Sequence, residues 1–214
     1  MLKASRMCTL FGIGSDILLY ITVIVSALLI GFVIGRLKGI RPDISDIKFN
    51  KSWLLIPAVG LQILSGIAEA KGLKFGTLLT LAVNGVVFGI VFLVIWINRR
   101  YIGLWFIGFG ALLNALVMLF NGGRMPVNIS LVDNKPYMAD SIKLIISGMD
   151  NKHAVINTAT KLPILADIIS VPGFLGLGMP IISIGDIIVA IGLFVLCLQF
   201  CLDKLFVEIN SIKS

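Results

Sequence analysis

Five stretches of this chain are apolar for the length of a bilayer crossing, which takes about 20 mostly apolar residues in a helix. Ile17–Gly35 meets that rule and stops at Arg36. Trp53–Ala68 is shorter and carries Pro57, Gln62 and Ser65, all of which a membrane helix tolerates. Phe75–Ile97 is long and clean. Tyr101–Phe120 follows after only Asn98, Arg99 and Arg100, so the two must form an antiparallel helical hairpin. Ile181–Cys201 is the fifth span. The predicted fold is all-α: a polytopic membrane protein with residues 1–214 in a single membrane domain, five transmembrane helices and a long outer segment, Asn121–Pro180.

That outer segment is too long to be a passive link, and its pattern changes four times. Asn121-Gly-Gly-Arg-Met-Pro-Val-Asn128 has glycine past a helix end and proline shortly after, the pattern of a helix stop. A stop does not explain Arg124. Beside Gly122 and Gly123, whose backbone N–H groups can face an anion, Arg124 also suits a lipid phosphate. In Tyr137–Met149, the residues Met138, Ile142, Ile145, Ile146 and Met149 fall on one helical stripe, and Asp140, Ser141, Lys143 and Ser147 on the other. This predicts a short amphipathic helix lying along the membrane–water boundary or against the ends of the spans. His153–Ile169 carries His153, either a solvated loop residue or a pH-sensitive or catalytic group. It also carries Asp167, a carboxylate among Ile164, Leu165, Ile168 and Ile169, which needs a partner there. Val171–Pro180 has four glycines and two prolines and is predicted to loop at the membrane surface. Ser183 and Asp186 then open the last span in the spacing of a capping box.

Small residues at four-residue spacing let helix backbones approach. Ala27, Gly31 and Gly35, then Gly85 and Gly89, then Ala111 and Ala115 have this spacing. Gln62, Asn84 and Asn114 lie within spans, as interhelical hydrogen-bonding groups or as parts of a polar pathway.

Composition supports the same fold: 58% of the 214 residues are hydrophobic and 14% charged, with a mean hydropathy of +1.04, against roughly 25% charged residues in soluble domains. The net charge of +7 sits mostly in short breaks between spans, where it sets topology and meets phospholipid headgroups rather than nucleic acid. Arg36, Lys38, Arg41, Lys48 and Lys51, then Arg99 and Arg100, then Lys204 and Lys213 lie on one side of a five-span chain. That predicts the C-terminus in the cytoplasm, and the N-terminus and the outer segment outside. Lys3, Arg6, Lys71 and Lys74 pull the other way. The N-terminal stretch has no small-residue cleavage site, so no removable signal peptide is expected. Cys8, Cys197 and Cys201 with a single histidine make no metal site, and no cofactor is implied.

On Asn121-Gly-Gly-Arg-Met-Pro-Val127, Thr160-Lys-Leu-Pro-Ile-Leu-Ala-Asp167, and Ser183-Ile-Gly-Asp186 with Gly192 beyond, the chain resembles a bacterial family of integral membrane proteins. The family is common in clostridia and related Gram-positive lineages and is known as a domain of unknown function. The likeness runs from about Ile17 to Cys201. It implies several spans and no established activity, and it makes Met7 an alternative start to Met1. The order of Asp167 and Asp186 is also similar to that of the catalytic pair of lipoprotein signal peptidase, though the asparagines that flank that pair are missing here. Three functions are therefore open. The first is a non-enzymatic sensor or accessory protein that binds a lipid headgroup or a membrane-protein partner at its outer face. The second is a small transporter or a subunit of one. The third is a hydrolase using Asp167 and Asp186. Asn114, Asn121, Gly122, Gly123, Arg124 and His153 are the other candidate site residues.

Overall fold

The computed structural model describes residues 2–39, 48–132, 138–172 and 181–202, with side chains from residue 18 onward. The side chains of Cys8, Tyr137, Lys204 and Lys213, and the glycine-rich stretch 173–180, lie outside the described residues. Five helices are long and apolar enough to cross a membrane. Helix α1 covers Leu2–Leu37, α2 Leu55–Ala70, α3 Thr77–Ile97, α4 Ile102–Phe120 and α6 Ile184–Cys201. At 36 residues, α1 is about 54 Å long at 1.5 Å per residue. It starts well before the predicted Ile17, and no proline interrupts Leu2–Asp16. Its membrane-crossing part is Leu18–Leu37. Pro57 falls in the first turn of α2, where a missing N–H breaks no helical bond.

The centre of the bundle is α4 against α6, which run antiparallel with their backbones in contact. A Cβ built on Gly103 would lie 2.6 Å from the Gly192 carbonyl oxygen, one on Gly110 2.4 Å from that of Gly185, and one on Gly192 2.6 Å from the Ile107 nitrogen. Glycine on both helices is what permits this approach. Helix α1 runs parallel to α6: Leu19 packs on Val171 and Ile182 at one end, and Gly31 meets Cys201 at the other. Of the small-residue stripes predicted from sequence, Ala27–Gly31 therefore lies at a contact. Gly85 and Gly89 do not: among the described residues, no other element comes within 4 Å of a Cβ on either.

At the end of the bundle away from residues 121–183, Ile95, Tyr101, Leu104 and Leu196 form a core with Phe49, Phe92 and Phe200 beside it. Asn98, buried at the end of α3, donates to Asn50 O (2.9 Å) and accepts from Asn50 N (2.7 Å), tying the α1–α2 loop to the hairpin. Arg100 donates to the Tyr101 hydroxyl and to Lys48 O. Trp53, Trp96 and Trp105 all sit at this end, an aromatic girdle of the kind found at a membrane boundary.

The other end carries the long segment. It is not all helix and loop, as its sequence suggested. Strand β1 (Met125–Val127) runs parallel to β2 (His153–Val155). On its other edge β1 bridges to Asp167, whose N–H donates to Pro126 O (2.9 Å) and whose carbonyl accepts from Asn128 N (3.0 Å). Strands β3 (Ile169–Ser170) and β4 (Ile181–Ile182) pair antiparallel just before α6. Backbone this close to a membrane has few waters to bond, so glycine- and proline-broken chain that cannot be helical pairs with itself instead. The predicted amphipathic helix is α5, Ala139–Ile146. Met138 and Ile142 pack with Val127, Val132 and Ile181, and Ile145 is buried. Ile146, predicted for the same stripe, is exposed. Lys143 and Asp140 pair at 3.6 Å on the solvated side.

Candidate functional site

Three polar clusters meet at the loop-bearing end. The first is built on the start of α6. Ser183 and Asp186 form a full capping box: the Ser183 hydroxyl accepts from Asp186 N at 3.0 Å, and Asp186 Oδ2 accepts from Ser183 N at 2.9 Å. The Ser183 hydroxyl also lies 2.8 Å from Asp186 Oδ2 and 3.0 Å from Asn114 Oδ1. Asn114 comes across from α4 and donates to Asp186 Oδ1 at 2.8 Å, and Tyr20 on α1 reaches the same oxygen at 3.4 Å. Asn114 can enter because Gly185 has no side chain: a Cβ there would be 1.9 Å from Asn114 Oδ1. Asp186 is thus saturated with donors from three helices, at the end of α6 where the helix dipole favours an anion. Helix α6 returns the contact at the far end, where Gln199 Oε1 accepts from Gly103 N at 2.9 Å in the first turn of α4. Each of these antiparallel helices supplies an amide to the other's N-terminus.

The second cluster follows α4. Gly123 N donates to Met118 O at 2.8 Å with Gly122 at φ +72°, a Schellman stop. Gly123 then lies on α3, where a Cβ would be 2.8 Å from Leu81 N. Asn84 donates to Gly123 O at 2.7 Å and accepts from Gln62 at 3.5 Å, so these two intramembrane amides link α2, α3 and the glycine turn. Arg124 donates to Phe75 O (3.0 Å) and Gly148 O (3.5 Å). Among the described residues it forms no ion pair with Asp186, so the structure gathers Asn114 with Asp186 but sends Arg124 elsewhere. Asn121 donates to Lys161 O (2.8 Å) and accepts from Lys161 N (2.9 Å). Asp167 is buried beside β1, so its carboxylate, like that of Asp186, belongs to the interior of this end.

The third cluster joins the candidate His153 to Asp150 and Asn151, which have no such mark in the sequence. Asp150 Oδ1 accepts from Lys152 N (2.6 Å) and His153 N (2.7 Å), and its Oδ2 lies 3.0 Å from His153 Nδ1. Burial opposes ionisation of Asp150, yet the adjacent imidazole and the two backbone N–H groups outweigh it and hold the carboxyl below the usual range. Asn151, also buried, accepts from Phe75 N (2.8 Å) and donates to Leu73 O (3.0 Å), and its own N–H donates to Glu69 at 3.0 Å. The run Asp150-Asn-Lys-His153 reads as a turn because aspartate commonly bonds backbone two or three residues on. That habit is what creates the imidazole–carboxylate pair, but the docking of Asn151 onto the α2–α3 loop has no local signature.

One apolar feature stands apart. Residues 161–164 protrude beside the ends of α4 and α6, and Leu162 there adopts left-handed backbone angles (φ 51°, ψ 49°).

Comparison with known proteins adds relatives, none with a stated activity. Over 102 residues the chain is 36% identical to an uncharacterized protein of Thermotoga maritima, covering 47% of this chain and 53% of that protein. The chain thus spans about half the length of this curated relative. No solved structure matches. Residues 46–198, which take in α2, α3, α4, most of α6 and all of the three clusters except Tyr20, match a family of unknown function, DUF5317, and the chain belongs to that family.

Proposed function

We propose that this protein is a non-enzymatic sensor or accessory protein of the bacterial plasma membrane, whose described residues between 121 and 183 form an extracytoplasmic platform for a lipid or a membrane-protein partner. The observation that carries this reading is how the polar candidates are used. Asp186 is saturated by Ser183, Asn114 and Tyr20. Arg124 serves two carbonyls, and both amide arms of Asn121 hold Lys161. A reacting carboxylate needs a face open to substrate, and Asp186 is 8% exposed. Beside exposed polar residues such as Asp140, Lys143 and Thr158, the platform also offers the apolar side chains of Leu162 and Ile164 outward. The orientation follows from Arg36, Lys38, Lys48, Lys51, Arg99 and Arg100, which lie in short links at the opposite end and mark it as cytoplasmic.

Complementation of a deletion strain tests the reading, with folded yield measured for each variant. The double variant Leu162→Ser/Ile164→Ser is expected to fold and fail to complement. Asp186→Asn is expected to lose complementation only in proportion to its folded yield. A well-folded Asp186→Asn that does not complement, beside a fully active double variant, overturns the binding reading in favour of carboxylate chemistry by Asp167 and Asp186.

A further inference from the structure

The segment Lys161-Leu-Pro-Ile164 is held rigidly and points apolar groups outward. Its N-terminal flank is fixed by the Asn121 amide, which engages both backbone groups of Lys161. Its C-terminal flank runs through Ala166, which is fully buried, to the Asp167 bridge on β1. A turn between Leu162 O and Leu165 N (2.9 Å) closes the apex. Within this frame Leu162 occupies left-handed backbone space that side chains disfavour, with 41% of its surface exposed, and Ile164 is 69% exposed. Lys161 and Pro163 are exposed as well. Burial in the protein's own core does not account for this apex.

Its location says what covers it. Asn121 is the residue that ends α4, so Lys161 is fixed at the level where that span leaves the apolar layer. The turn Pro163–Leu165 lies against α4 and α6. Leu119 and Phe120 in the last turn of α4 and Ile187 in the first turn of α6 are exposed, so the apex continues the lipid-facing surface of those two spans. An apolar apex with a lysine beside it at that depth fits the headgroup–acyl boundary of an anionic bilayer: the aliphatic groups sit among upper acyl carbons and the ammonium beside phosphate.

The structure assigns to Lys161–Ile164 the role of a bilayer anchor whose ligand is anionic phospholipid. This rests on the platform reading and names the lipid as what the apex of the platform meets. Through Asn121 and Asp167 the anchor is joined to α4 and to β1, so bilayer contact is coupled to the core of the platform.

The test uses the full chain with Cys8, Cys197 and Cys201 changed to alanine and one cysteine added, at Ile164 or, for comparison, at the exposed Thr158. Each is labelled with nitrobenzoxadiazole and reconstituted in vesicles of phosphatidylcholine, with or without phosphatidylglycerol. Each variant must match the cysteine-free parent in melting temperature; Pro163→Cys replaces Ile164→Cys if the latter does not. The expected result is emission from position 164 that is shifted to the blue and quenched several-fold more than position 158 by lipids brominated high on the acyl chain. Quenching should deepen with phosphatidylglycerol, and Lys161→Glu should remove that increase. Iodide quenching at 164 equal to that at 158 overturns the anchor. Lipid quenching that ignores both phosphatidylglycerol and Lys161→Glu overturns the anionic ligand. Shielding of position 164 in native membranes but not in pure vesicles overturns the lipid in favour of a protein. In that last case complementation would still require Leu162 and Ile164, and the platform reading would stand.

Discussion

Three asparagines do the same work at three places. Asn98 holds both backbone groups of Asn50, Asn121 holds both of Lys161, and Asn151 holds Phe75 N and Leu73 O. A side-chain amide presents N–H donors and a carbonyl acceptor side by side, as a peptide does, so it can stand in for a neighbouring strand. Beside lipid such a stand-in matters, because an unmatched backbone group finds little water. Asn98→Ala should therefore cost about 1–3 kcal/mol in denaturant unfolding in detergent. Asn157→Ala, at an exposed residue whose bonds among the described residues stay within its own turn, should be nearly silent; equal effects would show that the clamp is not structural. The carboxylate of Asp150 carries a pH signature. Its carboxyl is held low in the fold, so the stability it adds is complete above the unfolded carboxylate value, about pH 4. That stability is lost as pH falls through the lower folded value. Melting curves from pH 6 to pH 3 should show this loss in the parent and a flatter profile in Asp150→Asn.

The strongest element pair is α4 with α6, and it combines backbone contact with reciprocal capping by Asn114 and Gln199. A methyl group on Gly110 or Gly192 would meet backbone atoms rather than a movable side-chain end, so the helices must separate. Gly110→Ala and Gly192→Ala should each cost about 1–3 kcal/mol, as overpacking does, and lower the folded fraction in fluorescence-detected size exclusion. Gly85→Ala and Gly89→Ala, which face open space, should leave it unchanged or raise it slightly, since alanine favours helix. A loss at Gly85 or Gly89 comparable to that at Gly110 would point to a partner on α3. At the same scale, β1 is the hinge of the loop-bearing end: it pairs with β2 on one side and Asp167 on the other. The three motifs first noticed in sequence, 121–127, 160–167 and 183–186, meet around it and the top of α4–α6.

For the molecule as a whole, the two ends differ in kind. One has the tryptophan girdle, with Arg36 over the Phe32 ring and Arg99 over the Trp96 ring. The other carries the platform. If the first is cytoplasmic, a cysteine at Thr158 in a cysteine-free background should react with an impermeant thiol reagent added to intact cells. One at Lys48 should react only after the cells are opened. The reverse pattern would invert the protein in the membrane and place the platform inside, without changing its fold.

Much of this architecture was legible from residue order alone. Five spans and the α3–α4 hairpin follow from apolar run length, because a bilayer imposes one dimension that sequence can be measured against. The stop at Gly122 and the cap at Ser183–Asp186 were legible too, since both depend on residues within a few positions of each other. α5 was found by its stripe, and the exposure of Ile146 shows where an ideal stripe ends. Tertiary structure alone decided the rest. Gly103, Gly110, Gly185 and Gly192 became the close seam, while Gly85 and Gly89 faced outward, because spacing on one helix does not say which helix lies opposite. Arg124 found the carbonyls of Phe75 and Gly148, and Asn121 found Lys161 forty residues away. The parallel pairing of β1 with β2 joins segments too short to announce themselves as strands. Such contacts are set by which segments are brought together in space, and residue order along one segment carries no record of the partner.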